Sequence, residues 1–115
     1  MPPTYLACQR AHYRLAYPVL ERPRLLLGDG GLEVVDCSEM GLRLRTTGGP
    51  VPELGTRVQG TLVFRHGETE EVEGTVVRIR AGEIAVHLTE RGVPFSRIWE
   101  EQRRLRSRYP DRFHP

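Results

Sequence analysis

The sequence predicts a small all-β domain followed by one helix, and two patterns support this fold class. Between residues 19 and 88, short stretches that alternate apolar and polar residues are separated by Gly-rich turns, which is typical of a β-sandwich or β-barrel. Near the end of the chain the period changes to that of an amphipathic helix. The length of 115 residues suits one domain with a real core.

The first strand candidates lie on either side of a glycine-rich turn. Val19 to Leu27 has extended character, and Arg22-Pro23 argues against a helix because Pro disfavours the α conformation in the residue before it. Gly28-Asp29-Gly30-Gly31 is a strong turn signal, and Leu32 to Val35 follows as the second strand. The third strand is Gly41 to Thr46, where apolar and charged residues alternate.

Three more strands are predicted after a Gly- and Pro-rich loop that runs from residue 48 to residue 55. They are Arg57 to Arg65, Glu71 to Arg80 and Glu83 to Leu88, with turns at His66-Gly67 and Ala81-Gly82. Residues spaced by two are expected to share one side of each strand: Val58, Gly60, Leu62 and Phe64; then Val72, Gly74, Val76 and Arg78; then Ile84, Val86 and Leu88.

A helix is predicted from Pro94 to Tyr109, because Pro suits a helix start and Pro110 ends the pattern. The stripe expected to pack on the β domain comprises Phe95, Ile98, Trp99, Gln102 and Leu105. The other faces are expected to carry Arg97, Glu100, Glu101, Arg103, Arg104, Arg106 and Arg108. The alternative is that part of the stripe is exposed as a surface for a partner.

Composition narrows the function classes. The net charge is only +2, so bulk charge favours neither DNA nor RNA as a partner. All 17 cationic residues are Arg, whose planar guanidinium group suits the recognition of phosphate and guanine. No secretory signal or apolar stretch long enough for a membrane helix is visible, so we expect a cytoplasmic protein without membrane insertion. Cys8 and Cys37 are expected to be reduced thiols.

No catalytic or metal-binding pattern is visible. The four His and two Cys residues show no metal-ligand spacing, so neither a metal nor a cofactor is predicted. Ser38 does not lie in a nucleophile-elbow motif and has no His–acid pair placed to activate it. The sequence therefore predicts a binding protein and not an enzyme.

Two short motifs carry the functional prediction. The first is RxxxR, from Arg10 to Arg14, whose two side chains share a face because a spacing of four nearly matches both the helical and the extended period. The second is DxSxxG, from Asp36 to Gly41, which lies between two predicted strands. Either motif alone occurs often by chance, but their order and separation within a small β domain are specific.

With these motifs the sequence resembles the PilZ family, from Gln9 to about Leu88, including Gly74-Thr75-Val76-Val77-Arg78 on a later strand. The resemblance implies a six-stranded antiparallel β-barrel, of the split-barrel type, with a C-terminal α-helix. We accordingly predict a flexible N-terminal arm over residues 1–9, a barrel domain over 10–92, and a helix and tail packed on the barrel over 93–115.

The resemblance also implies that the ligand is cyclic di-GMP and that the two motifs hold it. Arg10 and Arg14 would bind its phosphates or guanine edges, and Asp36 would accept hydrogen bonds from guanine N1–H and N2–H₂. Ser38 would donate or accept at a base edge. Gly41 would permit a backbone conformation or a close approach that a side chain would block.

Two further residues are candidates by the same resemblance. Arg78 would stack its guanidinium plane on a guanine. Gln9 precedes RxxxR, at a position that influences in the family whether one ligand or a stacked pair is bound. Many members carry more Arg residues beside this motif, where this chain has Gln9 and Ala11.

The predicted role is a bacterial second-messenger receptor that changes conformation when it binds cyclic di-GMP and passes the signal to a separate protein. The family is linked to motility, surface attachment and exopolysaccharide control, and the sequence does not choose among them or identify the partner. The alternative is a protein-interaction module of the same fold that works without the nucleotide. A third reading is a small β-barrel that binds nucleic acid through its Arg residues.

Overall fold

The described chain is built from one sheet and one long helix, as seen in a computed structural model that describes residues 13–28 and 30–111. In this part the strands are β1 (Leu15–Ala16), β2 (Arg24–Leu27), β3 (Gly30–Cys37), β4 (Gly41–Thr46), β5 (Arg57–Val63), β6 (Thr69–Arg80) and β7 (Glu83–Arg91). A short 3₁₀ helix, Val19–Glu21, precedes β2, and helix α1 (Phe95–Arg108) follows β7.

The sheet closes on itself. The strand order is β1-β3-β2-β5-β6-β7-β4, and an additional pairing of β3 with β4 joins the two ends. Strands β2 to β7 therefore form a six-stranded barrel in which every described pairing is antiparallel. Strand β1 is an extra strand that, in the described part of the chain, pairs with the end of β3, where Leu15 lies opposite Cys37. The predicted six-stranded antiparallel barrel with a C-terminal helix is confirmed.

The tight hairpins explain why the strands meet in this register. Between β6 and β7 the turn residues Ala81 and Gly82 have φ of 52° and 81°, and Arg80 lies opposite Glu83. Two positive φ angles in a two-residue loop match the right-handed twist of the flanking strands. This geometry fixes which residues of β6 and β7 lie side by side on the outer surface.

The barrel interior is filled by the apolar residues that alternate along the strands. The side chains with almost no exposure include Leu25, Leu32, Val34, Leu42, Leu44, Leu62, Phe64, Val76, Ile84 and Leu88. The core rows predicted for β5 and β7 lie inside the barrel, and so do Val72, Gly74 and Val76 of β6.

Three local features differ from the sequence-based expectation. Val19–Glu21 was expected to be extended but forms a turn of 3₁₀ helix, closed by a hydrogen bond from the Glu21 N–H to the Pro18 carbonyl oxygen at 2.9 Å. Strand β1 has two residues, too few to show a period. The DxSxxG motif joins two strands as predicted, but it also extends into both, because Asp36 belongs to β3 and Gly41 begins β4.

Helix α1 packs its buried face against the barrel, but that face differs from the predicted stripe. Ile98 and Leu105 are buried in the same core cluster as the strands. Trp99, expected on the buried stripe, is 47% exposed and stacks against Phe95 with a centroid distance of 6.5 Å. Glu101, expected on a solvated face, is completely buried because Tyr17, His66 and Arg104 surround its carboxylate.

Within residues 13–28 and 30–111, no helix combines the length and the apolar character needed to span a membrane. The predicted arm, residues 1–9, lies outside the described residues.

Candidate functional site

The carboxylate of Asp36 lies at the centre of the candidate site. Its side chain is only 6% exposed, and both oxygens are paired: Arg14 Nη1 lies 2.9 Å from Oδ1 and Arg43 Nη2 lies 2.9 Å from Oδ2. A β-bulge between Val34 and Asp36 shifts the register, so that Asp36 lies opposite Arg43 of β4. The bulge thus turns an acidic side chain at the end of a core strand toward the Arg-bearing surface.

The extra strand places Arg14 beside this carboxylate. Ala16 of β1 lies opposite Asp36 of β3, and Arg14 comes directly before β1. The Arg14 side chain remains 56% exposed while it reaches the buried Oδ1. The Arg14 side chain is therefore held by Asp36 at its guanidinium group, while more than half of its surface remains accessible to solvent.

A surface pocket of about 500 Å³ opens above this pair. Its walls come from β3, β4, β6 and β7 and from the residues flanking them, and they comprise Arg14, Asp36, Met40, Gly41, Leu42, Arg43, Val77, Arg78, Ala85, Val86 and His87. Four of the predicted site residues therefore line one pocket: Arg14, Asp36, Gly41 and Arg78. The pocket contains three guanidinium groups against one carboxylate, which favours an anionic ligand with hydrogen-bonding edges.

Ser38 closes the β3–β4 turn and does not line the pocket. Its backbone N–H donates to the Gly41 carbonyl oxygen at 2.9 Å, and its Oγ donates to the same oxygen at 3.4 Å. The side chain is buried next to the motif's glycine. The described geometry therefore gives Ser38 a clear role in holding the turn that carries Asp36 and Gly41.

Gly41 has close neighbours but an ordinary backbone. It is absent from the glycines with positive φ, so an unusual backbone conformation is not what requires glycine here. A Cβ atom at this position would lie 3.5 Å from Arg14 Nη2, from Ser38 Oγ and from the Val86 carbonyl oxygen. The absence of a side chain at Gly41 therefore leaves space in the pocket between Arg14 and β7.

Arg78 lies on the outer surface, and not on the core side with Val72 and Val76. A second bulge, between Val76 and Arg78, adds one residue to β6 and moves Val77 and Arg78 outward. Arg78 then lies opposite Ala85 of β7, and its side chain reaches the pocket. The expectation of a continuous row was wrong because alternation along a strand is interrupted at a bulge.

Sequence reasoning missed Arg43 as a site residue. Its side chain holds Asp36 Oδ2 and lines the pocket together with His87 and Met40. The alternation from Gly41 to Thr46 already indicated that Arg43 points outward. Its partner could not be inferred, because the pairing depends on the bulge in β3. Gln9 and Arg10 lie outside the described residues.

A buried polar group connects the site with helix α1. The Tyr17 hydroxyl donates to Glu101 Oε1 at 2.8 Å and lies 4.0 Å from Cys37 Sγ, next to Asp36 in the chain. Burial raises the pKa of the Cys37 thiol to about 12 and also raises the pKa of Tyr17. Both groups therefore remain protonated at neutral pH, so that the Tyr17 hydroxyl can donate its hydrogen bond to Glu101.

In the part of the chain that the structure describes, no three His, Cys, Asp or Glu side chains are grouped so that they could hold a metal ion.

Comparisons with known proteins agree with this fold. The PilZ domain family model matches residues 9–109. A crystal structure of an uncharacterized Legionella protein, Lpg0364, superimposes with a TM-score of 0.54 at 19% identity, over 84% of this chain and 97% of that one. At this identity the likeness shows a shared fold, and no curated protein matches the chain. Because the family model covers most of the sequence, the chain belongs to the PilZ domain family, a family of cyclic di-GMP-binding modules.

Proposed function

We propose that this protein is a receptor for cyclic di-GMP and that the ligand binds in the pocket around Asp36. The observation that supports this most strongly is a nearly buried carboxylate whose two oxygens are held by Arg14 and Arg43 at the base of a pocket of about 500 Å³. A buried carboxylate among guanidinium groups offers an acceptor pair for a guanine and cations for phosphates.

In this proposal Asp36 accepts hydrogen bonds from guanine N1–H and N2–H₂. Arg14 and Arg43 now occupy both carboxylate oxygens, so at least one of them moves when a guanine binds. Arg14 suits this exchange because more than half of its side chain is exposed. A released guanidinium would then pair with a phosphate or with guanine O6 and N7.

The remaining motif residues complete the proposed site. Arg10 would act with Arg14 from the RxxxR motif, and Arg78 would stack its guanidinium plane on a base. Ser38, predicted to contact a base edge, does not line the pocket, so in this proposal it acts by holding the turn that carries Asp36 and Gly41. Gln9 is retained as the position that influences how many ligands bind.

The signal would leave the site through the segment between Arg14 and Tyr17. Tyr17 is hydrogen-bonded to Glu101 of helix α1, so a shift of Arg14 is linked to the helix by three residues of chain. The exposed ring of Trp99 lies on the same helix and offers a surface for a downstream protein. We infer a cytoplasmic adaptor that acts through a separate partner in motility, attachment or exopolysaccharide control.

Titration of an isosteric pair of variants tests the proposal. Asp36→Asn removes the charge at the base of the pocket, and we expect cyclic di-GMP to bind at least roughly tenfold more weakly, because a bidentate base contact contributes about 1–3 kcal/mol. Glu33→Gln is the matched control, since Glu33 also lies on β3 and pairs with an Arg, Arg22, outside the pocket. Equal affinity of Asp36→Asn and wild type would overturn the proposed binding mode.

A further inference from the structure

His87 lines the pocket around Asp36 but belongs to neither RxxxR nor DxSxxG. It lies in β7, where its neighbours Val86 and Leu88 point into the core and are buried. Because side chains alternate along a strand, the imidazole of His87 points outward, and the residue is exposed. The strand therefore presents a titratable side chain to the proposed ligand site.

The strands on either side of β7 leave room around this imidazole. His87 lies opposite Gly41 of β4, which has no side chain, and opposite Thr75 of β6, which has a small one. A Cβ atom at Gly41 would lie 3.5 Å from Arg14 Nη2 and 3.5 Å from the carbonyl oxygen of Val86, the residue before His87. Arg14 and His87 therefore border the same space in the pocket.

The ionisable groups that face His87 come from the pocket and from the elements beside it. The β3–β4 turn contributes Glu39, and in the next row of side chains Arg57 of β5 pairs with Glu73 at 2.7 Å and with Glu90 at 3.6 Å. Among the described residues, no carboxylate lies within ion-pairing distance of His87. The charged residues that line the pocket with it are Arg14, Asp36, Arg43 and Arg78.

A histidine in this position makes the charge of the pocket depend on pH. Histidine is the side-chain type whose charge normally changes between about pH 5 and pH 8. The protonated ring donates from both nitrogens and carries a positive charge, whereas the neutral ring donates from one. Hydrogen bonds between charged partners are roughly twice as strong as those between neutral ones. An anionic group beside Arg14 would therefore be held more tightly when the ring of His87 is protonated.

We propose that His87 is a phosphate-binding residue of this site, and that its protonated imidazole pairs with the phosphate that Arg14 holds. The inference rests on the proposed function and adds a regulation to it: cyclic di-GMP binds more tightly at mildly acidic pH than at mildly alkaline pH. The sign follows from linkage, because a ligand that prefers the protonated ring must also favour protonation of that ring when it binds. The phosphodiesters and guanines of the ligand keep their charge over this range.

Calorimetric titration with cyclic di-GMP at pH 6 and at pH 8 measures this dependence. We expect wild type to bind roughly fivefold more tightly at pH 6. Titration at pH 7 in two buffers of different ionisation enthalpy should show that binding takes up protons. His87→Gln should bind at both pH values with the affinity that wild type has at pH 8, and without proton uptake. His87→Lys keeps a positive charge throughout, so its affinity should be independent of pH and no weaker than that of wild type at pH 8.

Two other histidines provide the controls. His66 lies 3.2 Å from Glu68 and 3.4 Å from Glu101 and does not line the pocket. His12 lies within RxxxR in the sequence and outside the described residues. The difference in affinity between pH 6 and pH 8 should persist in both His66→Gln and His12→Gln.

The outcomes separate this inference from the proposed function. If wild type binds equally well at both pH values without proton uptake, the role of His87 is refuted while the proposed function stands. If the pH dependence persists in His87→Gln, or disappears in His12→Gln or His66→Gln, another group is responsible and the inference is also refuted. If wild type binds at neither pH, the proposed function fails and the inference fails with it.

Discussion

The Arg14 guanidinium and the Asp36 carboxylate are 22 residues apart in the chain and 2.9 Å apart in the fold. The two partners differ sharply in exposure, with 56% of the Arg14 side chain and 6% of the Asp36 side chain accessible. An ion pair with one exposed partner contributes little to stability and can exchange for another contact. Arg14 is therefore the partner of Asp36 that can change its contacts most easily, because most of its side chain is exposed.

Replacement of Arg14 should therefore separate binding from folding. We expect Arg14→Gln to weaken cyclic di-GMP binding at least roughly tenfold, yet to change the free energy of unfolding by less than about 1 kcal/mol. Isothermal calorimetry and thermal denaturation measure the two effects.

Arg57→Gln is the control for Arg14→Gln. Arg57 is 61% exposed and pairs with Glu73 at 2.7 Å, but it does not line the pocket around Asp36. It should bind the ligand as wild type does. A similar loss of affinity in both variants would show that general charge, and not the site, determines binding.

Two glycines of the barrel should respond to the same substitution with costs of different size. A Cβ at Gly74 would overlap the His87 carbonyl oxygen and come within 2.8 Å of Leu88 Cα, where the backbones of β6 and β7 approach each other. At Gly41 its nearest neighbours would be at 3.5 Å. We expect Gly74→Ala to cost at least about 2 kcal/mol and Gly41→Ala less than about 1 kcal/mol, measured by denaturant unfolding. Equal costs would contradict the described β6–β7 packing.

Alkaline pH should destabilise the fold through Cys37 and Tyr17. Burial raises the pKa of Cys37 from 9.0 to about 12, and that of Tyr17 is also raised. A raised pKa contributes stability that is fully present below the pKa of the unfolded chain and is lost as pH rises toward the folded value. The melting temperature should therefore fall between about pH 9 and pH 12, with a smaller decline in Cys37→Ala.

The same burial predicts slow thiol chemistry. In a Cys8→Ser background, Cys37 should react with iodoacetamide at pH 8 far more slowly in the native protein than in urea, because the thiolate is the reactive form. Equal reaction rates in the native protein and in urea would show that the Cys37 thiol is accessible in the native fold.

Low pH should weaken the contacts between Glu21 and helix α1 and so reduce the free energy of unfolding. Its carboxylate accepts from Arg104 at 2.9 Å and from the Tyr109 hydroxyl at 3.0 Å, and the Arg104 hydrogen bond holds its pKa below the ordinary 4.5. A lowered pKa contributes stability above the unfolded value that is lost as pH falls through the folded value. We expect Glu21→Gln to cost about 1–3 kcal/mol at pH 7 and to flatten the decline below pH 4.5.

The matched variant for Glu21→Gln is Glu53→Gln, in the exposed loop before β5. Its pH profile of stability should follow that of wild type. If the two variants had the same profile, the Glu21 contacts with the helix would contribute nothing measurable.

The sequence predicts strands well where alternation is unbroken. The bounds Gly41–Thr46 agree with those of β4, and the turn residues Ala81 and Gly82 agree with the β6–β7 hairpin. Local periodicity and turn chemistry suffice there, because each side chain's environment follows from its strand face. The same reasoning fails at Arg78, where a bulge changes the face within the strand.

Partners from distant parts of the chain explain the other differences. Because Glu is an acidic residue type, amphipathic periodicity predicts that Glu101 is exposed to water. In the structure it is buried, and Tyr17, 84 residues away in sequence, donates a hydrogen bond to it. Arg43 is missing from the predicted site for the same reason. Its meeting with Asp36 depends on a bulge that alternation does not reveal. Arg14, Asp36 and Gly41 could be grouped from the sequence because their order in the chain resembles a family pattern, and the structure places them around one pocket.

Equilibrium dialysis of the wild-type protein against cyclic di-GMP, followed by calorimetry, shows whether the ligand binds at all. We expect saturable binding with a dissociation constant of about 1 μM or below, which corresponds to roughly 8 kcal/mol or more. We also expect Asp36→Asn to lose most of this affinity while remaining folded. If wild type shows no detectable binding at about 100 μM ligand, a concentration that would saturate a micromolar site, the protein is not a receptor for cyclic di-GMP.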